Sequence, residues 1–265
     1  MSGYEFKFLG TGNAFTYDYD LPPERLCDQN FQSNMLLTAP SGKRMLIDCG
    51  GYMPFMLGYY GLRPTDIDAI YISHGHGDHA GGLEYMGFST YFNPTVDRPK
   101  MFVNQKLGLE LWDETLRGGL GSIQGRLMSL EGYFDVQWLE KNSTFTWEGV
   151  EFTPVQVVHY MDGFEVVPSY GLLFEIGGTK YFLTTDTQHC PNQIQTFYDW
   201  ADVIWHDCET SPFPSGVHAH YTELLTLDEA TRAKMWLYHY HPGKKADAVA
   251  EGFAGWVNKG QTFEL

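Results

Sequence analysis

The sequence is short of positive charge. Seventeen Lys and Arg stand against 33 Asp and Glu in 265 residues, a formal net charge of −16. A protein that grips large nucleic acids presents a basic face to their phosphates, and this composition leaves little from which to build one. A small anionic substrate is still allowed, because bound metal ions supply positive charge of their own. Cysteine is scarce as well: Cys27, Cys49, Cys190 and Cys208 are scattered without a CxxC pair. That spacing argues against a zinc–thiolate site and for reduced thiols. No apolar run approaches the about 18 residues that span a membrane. The N-terminal stretch Met1-Ser2-Gly3-Tyr4-Glu5-Phe6 has no basic region followed by an apolar one, so the expectation is a cytoplasmic protein with no membrane partner. The 29 Gly and 13 Pro follow no Gly-X-Y period, and no repeat recurs at about 20–50 residues. What remains is 43% hydrophobic and 19% charged residues, the composition of a packed globular chain.

The ten histidines are unevenly distributed. None falls in residues 1–73 or 80–158, yet His74, His76 and His79 share six residues. Hydrophobic patterning places them. Residues 4–9 alternate and read as a strand, and 33–38 with 43–48 read as a hairpin around Pro40-Ser41-Gly42. Residues 69–73 are a short apolar run of the buried-strand type, with His74 on its end. Residues 105–117 read as helical and 118–125 as a flexible Gly-rich connection. Further strands end at His159, at Asp186 (after a hairpin around Gly177-Gly178), at His206-Asp207 and at His239. Residues 192–200, 222–234 and 246–257 read as helices. Five strand ends thus carry a polar group each. Sites in layered α/β structures form where strand ends meet loops, so these five ends are expected to converge.

The segment His74-Gly75-His76-Gly77-Asp78-His79 is an HxHxDH pattern. Imidazole and carboxylate together favour zinc or another borderline divalent ion. The first and third positions can share one metal, while Asp78 and His79 reach a second about 3.5–4 Å away. Gly75 and Gly77 are read as allowing backbone angles that side chains would block. The segment cannot complete two sites alone, and His159, Asp186 and His239 are the candidates to do so.

With Phe8-Leu9-Gly10-Thr11-Gly12, Leu46-Ile47-Asp48-Cys49-Gly50, Thr184-Thr185-Asp186-Thr187 and Leu237-Tyr238-His239, this pattern resembles the metallo-β-lactamase superfamily over nearly the whole chain. Within it, the sequence is similar to the RNase Z-like and cyclic nucleotide phosphodiesterase branch. The resemblance implies an α/β fold, a four-layer αβ/βα sandwich with two mixed sheets face to face. It implies a single domain over residues 1–265, with two halves dividing near 135. It further implies two divalent ions, zinc with manganese as the alternative. His74, His76 and His159 would hold one, Asp78, His79 and His239 the other, and Asp186 would bridge them. Asp48 would be structural, and His241 is the alternative to His239. His189 and Cys190 are read as supporting or structural.

Two more segments point to the branch. His206-Asp207-Cys208-Glu209 sits where these proteins have His-Glu-Ala-Thr, and His220-Tyr221-Thr222 where they have His-Ser-Thr. The resemblance implies that Asp207 orients His220, which protonates the leaving oxygen, with Asp78 as the remaining catalytic carboxylate. Asp in place of Glu shortens the reach by one methylene, and His218 is the alternative to His220. The expected reaction is hydrolysis of a small phosphodiester, foremost a cyclic nucleotide, by a metal-bridging hydroxide. General similarity points to the cyclic-nucleotide-degrading enzymes that include phage antagonists of cyclic-pyrimidine (Pycsar) signalling. A tRNA 3′-processing endonuclease would carry a basic arm that this chain lacks. A carbon-centre hydrolase such as a lactonase shares the ligand set. The branch commonly forms homodimers, and Phe15, Tyr17, Tyr19 and Phe55 are candidates to stack on a base or face a partner subunit.

Overall fold

Side chains alternate across a strand, so each strand presents two sets of residues to two environments. The computed structural model describes residues 3–265, apart from the side chains of Leu26 and Cys27, and shows where both sets go. Met1 and Ser2 of the N-terminal stretch, and the Cys27 thiol, lie outside the described residues; Cys49, Cys190 and Cys208 are buried free thiols.

One seven-stranded sheet runs, in spatial order, Thr262–Glu264, Glu5–Phe8, Met35–Thr38, Arg44–Ile47, Ala69–Ile72, Lys100–Asn104 and Asp135–Leu139. The other runs Gly255–Trp256, Met235–Tyr238, Val203–Asp207, Thr179–Leu183, Val166–Ile176, Val150–Met161 and Phe145–Trp147. Each is mixed, antiparallel on one side and parallel on the other. Phe6, Phe8, Met45, Ile47, Tyr71 and Phe102 meet Phe152, Leu172, Phe174, Leu183, Trp205 and Tyr238 between the sheets. Trp205 anchors this layer, stacked on Phe6 with centroids 4.5 Å apart and on Tyr181 at 5.3 Å. Such pairs add about 0.5–1.5 kcal/mol each beyond buried area.

The intervening residues face outward. Leu46, Ile70, Ile72, Met101 and Val103 pack under the helices Met53–Tyr59, Leu83–Tyr91 and Gln105–Leu111. Phe182, Ile204, Met235 and Leu237 pack under Pro191–Trp200 and Tyr221–Leu224. The result is the four-layer αβ/βα sandwich. No helix among the described residues is long and apolar enough to cross a membrane.

Four local expectations change. The chain passes from the first sheet to the second after Leu139, but Thr262–Glu264 returns to pair with Glu5–Phe8, so the first sheet is not one contiguous half. Residues 118–125 are ordered by the helical turn Arg117–Leu120 and a hairpin pairing Ser122 with Leu127. Gly125 at φ +74° supplies the turn, and Leu120 is fully buried. The 222–234 region is two short helices, because Asp228 starts a new one by accepting from Thr231 N at 2.9 Å. Residues 246–257 form turns and the short strand Gly255–Trp256, since Gly252 (φ +86°) and Gly255 (φ +148°) leave helical space.

Candidate metal centre

Strand ends build the site. Arg44–Ile47, Ala69–Ile72, Thr179–Leu183, Val203–Asp207 and Met235–Tyr238 end at or just before Asp48, His74, Asp186, Asp207 and His239. Three residues at these ends sit in left-handed backbone space: Asp48 (φ 65°), Thr185 (φ 54°) and His239 (φ 67°). A non-glycine residue there costs about 1–3 kcal/mol, and all three lie within one site. His159 arrives differently. Its strand does not stop there but runs to Met161, and the pairing register slips between Val158 and Tyr160. His159 is the extra residue of a β-bulge, a device that re-aims a side chain.

The HxHxDH segment folds as a helical turn, Gly77–Ala80, docked on residues 49–51. Cys49 N donates to His79 O at 2.7 Å, and Asn34 Nδ2 to Asp78 O at 2.9 Å. The glycine requirement falls elsewhere than expected. Neither Gly75 nor Gly77 has a positive φ, and a Cβ on either meets nothing closer than 3.9 Å. A Cβ on Gly50 would lie 2.0 Å from Asp78 O, so Gly50 is what lets the segment approach.

Two groups of donor atoms converge, and Asp186 belongs to both. In the first, His76 Nδ1 lies 3.2 Å from His74 Nε2 and 3.1 Å from His159 Nε2, and Asp186 Oδ2 is 3.7 and 3.8 Å from those Nε2 atoms. In the second, His79 Nε2 lies 3.3 Å from Asp78 Oδ2 and 3.2 Å from Asp186 Oδ2; His239 Nε2 lies 3.5 and 3.4 Å from the same two oxygens. Ligands around a tetrahedral ion at zinc–nitrogen distances stand about 3.3–3.4 Å apart; the second group, at 3.2–3.5 Å, is close to that spacing, and the first, at 3.1–3.8 Å, straddles it. His79 Nε2, His239 Nε2 and Asp186 Oδ1 are buried with no hydrogen-bond partner, an arrangement costly for polar atoms unless something else satisfies them. The donor sets fit borderline divalent ions.

The outward nitrogens are held. Asp48 Oδ2 lies 2.7 Å from His79 Nδ1 and accepts from Ser73 Oγ at 2.8 Å, while Asp48 Oδ1 accepts from Ser73 N. His159 Nδ1 donates to Val217 O at 2.7 Å. Such partners set tautomer and ring orientation in metal sites. A third grouping, Asp186, Asp207, His218 and His239, overlaps the second. Within it His218 Nδ1 and Asp207 Oδ2 already satisfy each other at 2.7 Å.

Charge differs between the groups. Burial lowers the imidazoles of His74 and His76 and pushes His159 down to about 4, so all three are neutral near pH 7. Burial opposes protonation at His79 and His239 too. There the carboxylates outweigh it: Asp186, Asp78 and Asp48 raise His79, and Asp186 and Asp207 hold His239 up at about 10. Without metal, both imidazoles of the second group therefore carry a proton at neutral pH, and a cation must displace both. Zinc added to the metal-free protein near pH 7.5 in dilute buffer is expected to release about two protons, with second-group affinity falling about 100-fold per unit drop in pH. Potentiometric titration checks this; uptake of two ions with no proton release would contradict it.

The general-acid pair departs from the primary expectation. His220 does not reach Asp207. Its Nδ1 lies 2.7 Å from Thr222 Oγ1 and its Nε2 3.0 Å from Ser211 O, and it caps the helix Tyr221–Leu224. His218, the alternative, is the residue beside Asp207. Burial opposes its charge, but Asp207 holds its imidazole raised. His206 does not join the site: it is fully buried, with Nε2 2.6 Å from Tyr198 OH. His241 and His189 belong to none of the three groups.

A cavity of about 370 Å³ opens beside His76, lined by Leu107, Lys106, Glu110, Glu114, Asp162 and Tyr160, among others. Tyr160 stacks on the His76 ring, with centroids 4.8 Å apart and planes within 15°. Its place next to His159 was the only signal the sequence held for it. Phe15, Tyr17, Tyr19 and Phe55 do not line this cavity; Phe15, Tyr19 and Phe55 are strongly exposed. A larger groove of about 680 Å³ lies by Lys43, Asp68 and Lys100, at the other end of the strands, and touches no site residue.

The layered sheets with a histidine- and aspartate-rich centre at their strand ends define the metallo-β-lactamase fold. The metallo-β-lactamase fold protein YhfI from Bacillus subtilis superposes with a TM-score of 0.70 at 15% identity, covering 98% of each chain. The short form of human tRNase Z does so with a TM-score of 0.65 at 17% identity, again over 98% of each. Residues 4–263 match the family described as anti-Pycsar protein Apyc1, and the chain belongs to that family. An anti-Pycsar protein Apyc1 from Paenibacillus harenae is 35% identical over 236 residues, 88% of each chain.

Proposed function

We propose that this chain is a metal-dependent phosphodiesterase that opens small cyclic nucleotides to linear monophosphates, in keeping with the anti-Pycsar family to which it belongs. The observation that carries the reading is Asp186 Oδ2, one oxygen facing two groups of imidazoles. His74, His76 and His159 would hold one ion, Asp78, His79 and His239 a second, with Asp186 shared. Two divalent ions, zinc or manganese, would supply Lewis acidity at the phosphoryl oxygens and a more acidic attacking water.

The chain's own residues do the rest. Asp48 and the Val217 carbonyl fix the rings of His79 and His159. His218, hydrogen-bonded through Nδ1 to buried Asp207, keeps its other nitrogen for a proton. Its ring lies between those of His159 and His239, at 4.9 and 4.7 Å, and its raised pKa suits a donor to the departing alkoxide. A carbon-centre hydrolase has less need of such an acid, so the pair favours phosphorus. The cavity beside His76 has the volume for a nucleoside, and its walls set one Lys among four carboxylates. That wall, like the net charge of −16, favours a small substrate over tRNA, although the chain shares its fold with human tRNase Z.

The test is chromatographic turnover of a panel of 3′,5′-cyclic mononucleotides. Linear monophosphates are expected, lost on chelation and restored by zinc or manganese, with no processing of precursor tRNA. Metal-loaded protein that turns over none of the panel would sink the reading. The exposed rings of Phe15, Tyr19 and Phe55 support a homodimer, and light scattering on the same preparation should give twice the chain mass.

A further inference from the structure

His239 is a second-group donor with a backbone that an L-residue rarely adopts, at φ +67°. Something must hold it there, and the contacts show what. The carbonyl of Thr11 accepts from both His239 N (2.8 Å) and Tyr240 N (3.1 Å). The Thr11 hydroxyl donates to the Tyr240 oxygen at 2.7 Å, and the Tyr240 hydroxyl donates to Val257 O at 2.9 Å. Asn30 Nδ2 donates to Thr11 Oγ1 at 3.1 Å, completing the chain. The Lys245 ammonium lies 3.4 Å from the centre of the Tyr240 ring, and the Trp256 ring meets it edge-on. Tyr240 is thus fastened at its amide, its hydroxyl and its face, one residue after His239.

We infer that Thr11 and Tyr240 form a clamp that holds His239 in its left-handed conformation, so that Nε2 faces Asp78 and Asp186 while Nδ1 lies 3.2 Å from Asp207 Oδ1. Both are positioning residues, and the inference rests on the reading of His239 as a metal ligand. It also assigns a role to the Gly10-Thr11-Gly12 turn, whose glycines let the backbone that carries Thr11 lie close against residues 31–32 and Thr16. A Cβ on Gly10 would lie 2.4 Å from Phe31 O, and one on Gly12 would lie 1.8 Å from Thr16 Oγ1.

The experiment is competitive titration of metal-free protein with zinc against a chromophoric chelator, with cobalt absorption spectra alongside. The proteins are the wild type, H239A, Y240F, T11V, T11S and the Y240F/H239A double variant. Loss of a supporting partner in metal sites costs about 10–100-fold in affinity. Y240F and T11V should weaken one equivalent by that factor and alter its cobalt spectrum, leaving the other within about twofold. T11S should recover the wild-type value, and Y240F should add nothing in the H239A background. A merely structural role would weaken both equivalents together, and that result overturns the clamp, as does unchanged binding in Y240F and T11V. Metal uptake by H239A equal to that of the wild type would overturn the ligand reading itself, and the clamp with it.

Discussion

Asp186→Ala is expected to leave neither metal equivalent on the protein and to abolish phosphodiesterase activity. Asp186 Oδ2 stands within 3.8 Å of His74, His79, His159 and His239, so no other single substitution touches both groups. Its carboxyl is buried, which opposes ionisation, yet His239 and His79 hold it well below the usual carboxylate range. Removing it leaves those imidazoles beside one carboxylate fewer. Breaking a buried ion pair from one side typically costs about 3–5 kcal/mol, so the variant should also melt earlier. The activity loss should exceed about 10³-fold, more than the loss of a single transition-state hydrogen bond. Metal analysis of folded, desalted variant decides the matter: two ions per chain retained would refute the bridging role. Asp186→Asn, which keeps the volume but not the charge, should behave nearly as badly.

His218→Ala should slow cyclic nucleotides by about 10²–10⁴-fold, the usual contribution of a positioned acid, while barely slowing a nitrophenyl phosphodiester. A nitrophenolate departs without a proton, whereas an alkoxide does not. His220→Ala should act differently. His220 ties Ser211 O to the helix cap at Thr222, at the ends of the loop that carries both Val217 O and His218. Its loss should reduce both substrates by similar factors through the loop. Parallel kinetics on the two substrate types separate these cases. A leaving-group-selective defect in His220→Ala, with an even one in His218→Ala, would return the acid role to His220.

The reason for the exchange between His218 and His220 is instructive. The two differ by two positions, and in an extended segment both would face the same way. The loop from 208 to 219 is not extended: Glu209 N bonds Ala219 O, Ala219 N bonds Thr187 O, and Tyr221 N bonds Glu209 O. Those long-range bonds decide which imidazole meets Asp207. The bulge at His159 has the same character. Alternation from Val150 onward correctly marks a strand, but the register slip depends on the partner strand Val166–Ile176. Gly50 in place of Gly75 and Gly77 is a third instance, since its need for glycine comes from Asp78, 28 positions away along the chain.

Local chemistry and period therefore carried much of this protein. The apolar alternation of Phe6, Phe8, Ile70 and Ile72 divides residues between the inter-sheet core and the helical layers because a strand has two faces. The six residues from His74 to His79 concentrate donors within one turn, whatever surrounds them. Strand ends at Asp186 and His239 were legible for the same reason. Tertiary structure alone decided which distant groups share a donor cluster, that Tyr160 rather than the exposed N-terminal aromatics flanks it, that His218 rather than His220 pairs with Asp207, and that Thr11 grips the backbone of His239. Each of these depends on contacts between residues far apart in the chain, and no local preference specifies them.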